Sequence, residues 1–132
     1  MLHCSMADEV LDSARVFKTA WFAKAASKAS IGDRELCKAI QQVMQGQAID
    51  LGSGVFKKRL NRNEHRSIIV AKGRRFWVFA YLFAKKDRDN IDAAELAAFR
   101  ALSAVYAGKS DADVETELRA GAITEICHDD KA

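Results

Sequence analysis

The stretch VFKKRLNRNEHRSIIVAKGRR, residues 55–75, sets eight lysines and arginines around a short apolar run, with Glu64 as its one acid. Alternate residues of a strand share a face, so Phe56 and Leu60 turn one way, toward a core, while Lys57 and Arg59 turn the other. SIIVA, residues 67–71, is apolar on both faces and reads as a central strand; Gly73 makes the tight turn after it. Strands are expected over 55–60, 66–72 and 75–84, the last carrying the aromatic and branched run FWVFAYLFA.

Outward from this sheet the periodicity becomes helical. RVFKT, 15–19, alternates and reads as a short edge strand with Val16 and Phe17 as core contacts. TAWFAKAASKASIG, 19–32, is alanine-rich, with Trp21, Phe22, Ala25 and Ala29 near one face. Asp33 is the expected N-cap of a second helix with Leu36, Ile40, Val43 and Met44 at helical spacing, ended by Gly46. Gly52, Ser53 and Gly54 read as a turn into the sheet. Asp92 and Glu95 have the spacing of a capping box for a helix ending at Gly108; a further helix over 111–119 follows Ser110, and AITEI, 122–126, adds a terminal strand. The expected class is α/β (α+β): two N-terminal helices packed on a small sheet, with C-terminal helices. One domain is expected over 15–127, with 1–14 a flexible leader and 128–132 a flexible tail.

With 132 residues, 49% apolar and 30% charged, the chain has the composition of a folded soluble protein. No window approaches the roughly 18 apolar residues of a membrane span, and the start lacks the pattern of a secretion signal, so a cytoplasmic protein is expected. Cys4, Cys37 and Cys127 are odd in number and scattered, which suggests neither a disulfide framework nor a zinc site. The net charge of +3 conceals an asymmetry: eleven basic residues stand against Glu64 and Asp87 between Lys57 and Arg88, while the rest of the chain holds 10 basic and 16 acidic residues. A local excess of this kind attracts a polyanion by Coulomb attraction and counterion release, making nucleic acid the leading partner; a docking surface for an acidic protein is the other reading.

Lys57 and Arg59 share the face away from the N-terminal helices, Lys58 reaches solvent at an edge, Arg66 opens the next strand, and Lys85, Lys86 and Arg88 end the third. Strands about 4.8 Å apart bring these cations together. No carboxylate pair, Ser-His-Asp arrangement, phosphate loop or metal-ligand set accompanies them. Cleavage of RNA by its own ribose 2′-hydroxyl fits such a site, because the substrate supplies the nucleophile and no metal or cofactor is needed. Arg59 and Arg66 would hold the phosphate in bidentate fashion. A lysine crowded by cations becomes a better base, and Lys86 or His65 would be the acid, although alternation places His65 on the face opposite Arg66. The expected catalytic set is Lys57, Arg59, Arg66 and Lys86; the expected RNA-binding set is Lys58, Arg62, His65, Lys72, Arg74, Arg75, Lys85 and Arg88.

At these residues the sequence resembles the RelE/ParE superfamily of bacterial type II toxins, in particular its RelE-like/HigB-type group. VFKTAWFAKAA (16–26), DLGSGVFKKRL (50–60), FAKKDRDNI (83–91) and ELAAF (95–99) carry the resemblance in the same order, from about Arg15 to Tyr106. It implies a RelE-like toxin fold with a twisted antiparallel sheet, ribosome-dependent cleavage of messenger RNA, and neutralisation by a cognate antitoxin. The family's basic positions fall on Lys57, Arg59, Arg66 and Lys86. The later tyrosine of RelE falls on Asp92, and the aromatic residue before the strand-opening arginine on His65. A ParE-like gyrase inhibitor, or an RNA-binding module without cleavage, is the alternative.

Overall fold

The structure, a computed structural model, describes residues 14–73 and 75–127. Arg74 and the expected leader and tail lie outside the described residues, apart from Ala14. The element order is β1 (Arg15–Thr19), α1 (Ala20–Lys28), α2 (Asp33–Met44), β2 (Ile49–Gly52), β3 (Val55–Leu60), β4 (His65–Lys72), β5 (Phe76–Ala84), α3 (Ala93–Ala107), α4 (Asp111–Ala120) and β6 (Ile123–Ile126). The six strands form one sheet in the order β2-β3-β4-β5-β1-β6.

Four features of the elements and their pairing depart from the sequence expectations. The sheet is mixed, because β1 runs parallel to β5 while every other pair is antiparallel. β1 is interior rather than an edge, since β6 pairs on its outer side. β2 forms a strand where only a turn was expected: four residues are too few to show a period, and the strand exists through its pairing with β3. Asp33 also lies inside α2, whose N-cap is Gly32.

Two apolar clusters occupy the two faces of the sheet. The first joins Phe22 and Ala26 of α1 and Leu36, Ile40 and Val43 of α2 to Val16, Leu60, Ile69, Trp77, Phe79 and Leu82. The second joins Phe17, Val55, Ile68, Val70, Val78 and Phe83 to Tyr106 of α3 and Val114 of α4. Capping boxes start both C-terminal helices: Asp92 with Glu95, and Ser110 with Asp113. Their reciprocal bonds satisfy backbone donors that a helix start leaves open.

A β-bulge sets which β5 residues face which helices. Ile68 pairs with Tyr81 but Ile69 pairs with Phe79, leaving Ala80 without a register partner. One extra residue inverts the alternation. Phe79 therefore joins the first cluster, yet Phe83 joins the second.

Cys37 and Cys127 are joined by a disulfide with Cα atoms 5.4 Å apart, which overturns the expectation that the cysteines stay unpaired. Ninety residues separate them in sequence, so no local spacing signals the bond. The fold makes it by carrying the end of β6 beside α2.

Candidate anion-binding site

The β3–β4 hairpin places its cations by strand register. Lys57 pairs with Ile68, Lys58 with Ser67, and Arg59 with Arg66. Phe56 and Leu60 belong with the first cluster, whereas Ile68 belongs with the second. Lys57, Arg59 and Arg66 thus share the face of the second cluster, and alternation puts Lys58 and His65 on the other. Two arginines directly opposite each other repel unless an anion lies between them.

The turn that joins these strands is conformationally demanding. Asn61, Arg62 and Asn63 have φ of 54°, 53° and 72°, three consecutive residues in the left-handed region. Asn tolerates this region well; Arg62 is held there by its neighbours. Glu35 of α2 accepts a hydrogen bond from the Asn61 backbone N–H. The turn also orients Arg66, whose Nη1 donates to the carbonyls of Asn63 at 3.0 Å and His65 at 3.2 Å. One nitrogen is occupied in this way, and the rest of the five-donor fork remains for an anion.

Lys57, Lys58, Arg59 and Arg66 line one groove of about 450 Å³ with Gln47, Ala48, Ile49 and Asp89. Lys58 Nζ donates to the Gln47 carbonyl at 3.0 Å. Burial, and secondarily the charge of Arg59, hold the Lys58 amine below the ordinary lysine pKa. The cation crowding expected of the hairpin is thus only the smaller of the two causes at Lys58. Sequence reasoning missed Asp89 and the β2 wall. Asp89 stands within KKDRDN, where it reads as one more surface charge.

The remaining expected residues scatter. Lys86 is exposed on the turn after β5 and does not line the groove; Lys85 is exposed beside it, with its backbone N–H bonded to Glu64. Arg62 faces a neighbouring concavity with Glu35 and Lys38, which shares Arg59 with the groove. His65 lies with its Nδ1 3.1 Å from Asn61 Nδ2, on the side of Trp21 and Lys24. Arg88 is committed elsewhere: Nη1 donates to Glu95 at 3.0 Å and to the Tyr81 hydroxyl at 3.4 Å, Nε donates to the Asn90 carbonyl, and the guanidinium lies 5.5 Å from the Phe83 ring centre. Arg88 in turn holds the Glu95 carboxyl below the usual carboxylate range, with the Asp92 backbone N–H adding to the effect. Lys72 and Arg75 belong to the far end of the sheet, where Lys72 Nζ donates to the Lys109 carbonyl. Six residues of strand, about 20 Å, separate Lys72 from Arg66. Arg74 lies outside the described residues.

Among the described residues no group of His, Cys, Asp and Glu is placed to hold a metal ion. No helix among them is long and apolar enough to cross a membrane.

Paired arginines and flanking lysines stand together at one end of a mixed α+β sheet. Residues 14–126 match the family described as the RelE toxin of the RelE / RelB toxin-antitoxin system. The chain belongs to this family, and so to the RelE/ParE superfamily of type II toxins; an antitoxin partner comes with that membership. No curated protein and no solved structure matches it.

Proposed function

We propose that this toxin is a ribosome-dependent endonuclease of messenger RNA, acting in the cytoplasm without a metal and held inactive by its cognate antitoxin. The observation that carries the reading is the register pair Arg59–Arg66, which shares one face with Lys57 and one groove with Lys58. Arg59 and Arg66 grip the scissile phosphate. The ribose 2′-oxygen attacks phosphorus as its proton passes to a β3 lysine, and the P–O5′ bond breaks, leaving a 2′,3′-cyclic phosphate and a 5′-hydroxyl. The departing 5′-oxygen takes its proton from Lys86, three residues before the groove-lining Asp89. The arginines also stabilise the extra negative charge of the transition state. Lys57 has the face for the base and Lys58 the environment; the variant that loses the acidic limb of the pH-rate profile identifies which one acts.

The antitoxin is proposed to cover the groove with an acidic segment, since that occupant satisfies the same cations. A binding module without cleavage is the second reading, favoured by the absence of Lys86 from the groove lining.

The test is to induce the chain in growing bacteria beside the double variant Lys57→Ala, Arg66→Ala and to map messenger 5′ ends. New in-frame cuts that vanish in the variant support the nuclease. Growth arrest without cuts assigns a different target, such as gyrase, and no arrest leaves the binding module.

A further inference from the structure

A second groove lies at the open edge of β5, where Phe83, the register partner of Arg66, is part of its lining. It measures about 600 Å³ and is lined by Trp21, Lys24 and Lys28 of α1 together with His65, Tyr81 and Phe83. Trp21, Lys24 and Lys28 are spaced i, i+3 and i+7, which puts them on one helix face. Trp21 is 52% exposed, although tryptophan is among the residues that a core takes up most readily. It stacks on Tyr81 with ring centres 5.0 Å apart, so one face of the indole is backed by protein while the residue as a whole stays accessible. The ring is thereby fixed at the groove wall. β1 makes this possible by ending its pairing with β5 at Lys18 and Phe79, which leaves the end of β5 open where α1 begins.

A rigid, accessible indole with two cations one and two turns along the same helix has the chemistry of a stacking platform for single-stranded nucleic acid. Among the described residues no ion pair engages Lys24 or Lys28, whereas Lys18 of the same region is bound to Asp33 at 2.7 Å. Asp87, the one carboxylate in the lining, and the Arg88–Glu95 pair mark the side nearer the first groove. Because α1 packs on the first-cluster face and Arg66 stands on the second, a strand leaving Arg66 passes the Phe83 position and turns round the open edge of β5 to enter this groove.

We propose that the Trp21–Lys24–Lys28 groove holds the substrate RNA next to the scissile phosphate, with one base stacked on Trp21 and the adjoining phosphates on Lys24 and Lys28. This inference rests on the RNA-cleaving reading above, and it places an affinity and positioning site outside the catalytic set.

The protein carries its own probe. Trp77, the second of its two tryptophans, is 2% exposed, so a fluorescence change caused by direct stacking must come from Trp21. A 2′-O-methyl RNA decamer, which lacks the attacking hydroxyl, is titrated into the full chain. Emission excited at 295 nm and the anisotropy of a dye-labelled copy are followed together. Quenching that tracks the anisotropy is expected. Trp21→Ala should abolish the quenching and weaken binding roughly tenfold; Lys24→Ala with Lys28→Ala should flatten the salt dependence of binding by about 1.4 in the log–log slope. An anisotropy rise without quenching, or with quenching that survives in Trp21→Ala, overturns the second groove and leaves the RNA reading standing. No anisotropy change at all also overturns the second groove, and the RNA-cleaving reading is then decided separately by the mapping of messenger 5′ ends.

Discussion

The β3–β4 hairpin is core at one end and candidate site at the other, although the same two strands make both. At the Val55–Val70 end the sheet is sealed. Ser103 Oγ of α3 donates to the Ala71 carbonyl at 3.0 Å, Tyr106 lies over Phe76 with ring centres 5.6 Å apart, and Cys127 follows β6 into its disulfide with Cys37. At the Arg59–Arg66 end the cations line an open groove instead, although α2 still reaches the turn through Glu35. Burial stabilises one end, while the other keeps like charges close together, an arrangement that adds nothing to stability until an anion arrives. Substitutions at the two ends should therefore separate stability from activity.

The largest effect is expected at the open end. Arg66→Ala should lower RNA cleavage by roughly 10²- to 10³-fold, as removal of a single charge-stabilising donor does elsewhere. Its unfolding midpoint in urea should hardly move, and a parallel collapse in stability would refute the division between the two ends. Gly54→Ala should do the reverse. Gly54 has φ +80°, and a Cβ there would stand 2.4 Å from Ser103 Oγ and 2.7 Å from the Ala71 carbonyl oxygen. Strain and overpacking together should cost about 3 kcal/mol in equilibrium unfolding, with cleavage per folded molecule unchanged.

A pH experiment sharpens the contrast further. Tyr106, 5% exposed, has its phenol pushed up from 10.0 to about 12, first by burial and then by Glu117. The folded state keeps this proton longer than the unfolded chain does. Its stabilising contribution is thus complete below pH 10 and is lost as pH rises toward 12, by about 2 kcal/mol in all. Thermal unfolding between pH 9 and 12 should show the decline, and Tyr106→Phe should remove that part of it. The smallest effect is expected for Lys72→Ala with Arg75→Ala, cations of the same charge-rich stretch at the sealed end. Cleavage should stay within about twofold and stability within about 0.5 kcal/mol. A loss comparable to that of Arg66→Ala would extend the RNA path along the whole sheet.

Much of the frame was legible without coordinates. The bounds of β3, the two C-terminal caps and the sharing of one face by Lys57 and Arg59 all follow from short-range rules: a period of two, a three-residue capping spacing, a glycine after a helix. The charge excess was equally legible, but its unity was not. Eleven basic residues between Lys57 and Arg88 read as one patch in sequence, and the fold spreads those among the described residues over the open groove, a neighbouring concavity, the exposed turn after β5, the Arg88–Glu95 pair and the far end of the sheet.

By itself, then, the sequence determined every element but β2, the identity of the hairpin and the resemblance to a toxin family, because each is written in contacts between residues a few positions apart. Tertiary structure alone decided the parallel pairing of β1 with β5, the pairing that creates β2, the bulge at Ala80 that turns Phe83 onto the arginine face, and the Cys37–Cys127 bond. It also decided that Trp21 stays outside the core beside Tyr81. The physical reason is common to all of these. Each depends on which distant segments meet, and that is settled by burying both faces of the sheet at once, a condition no local pattern encodes.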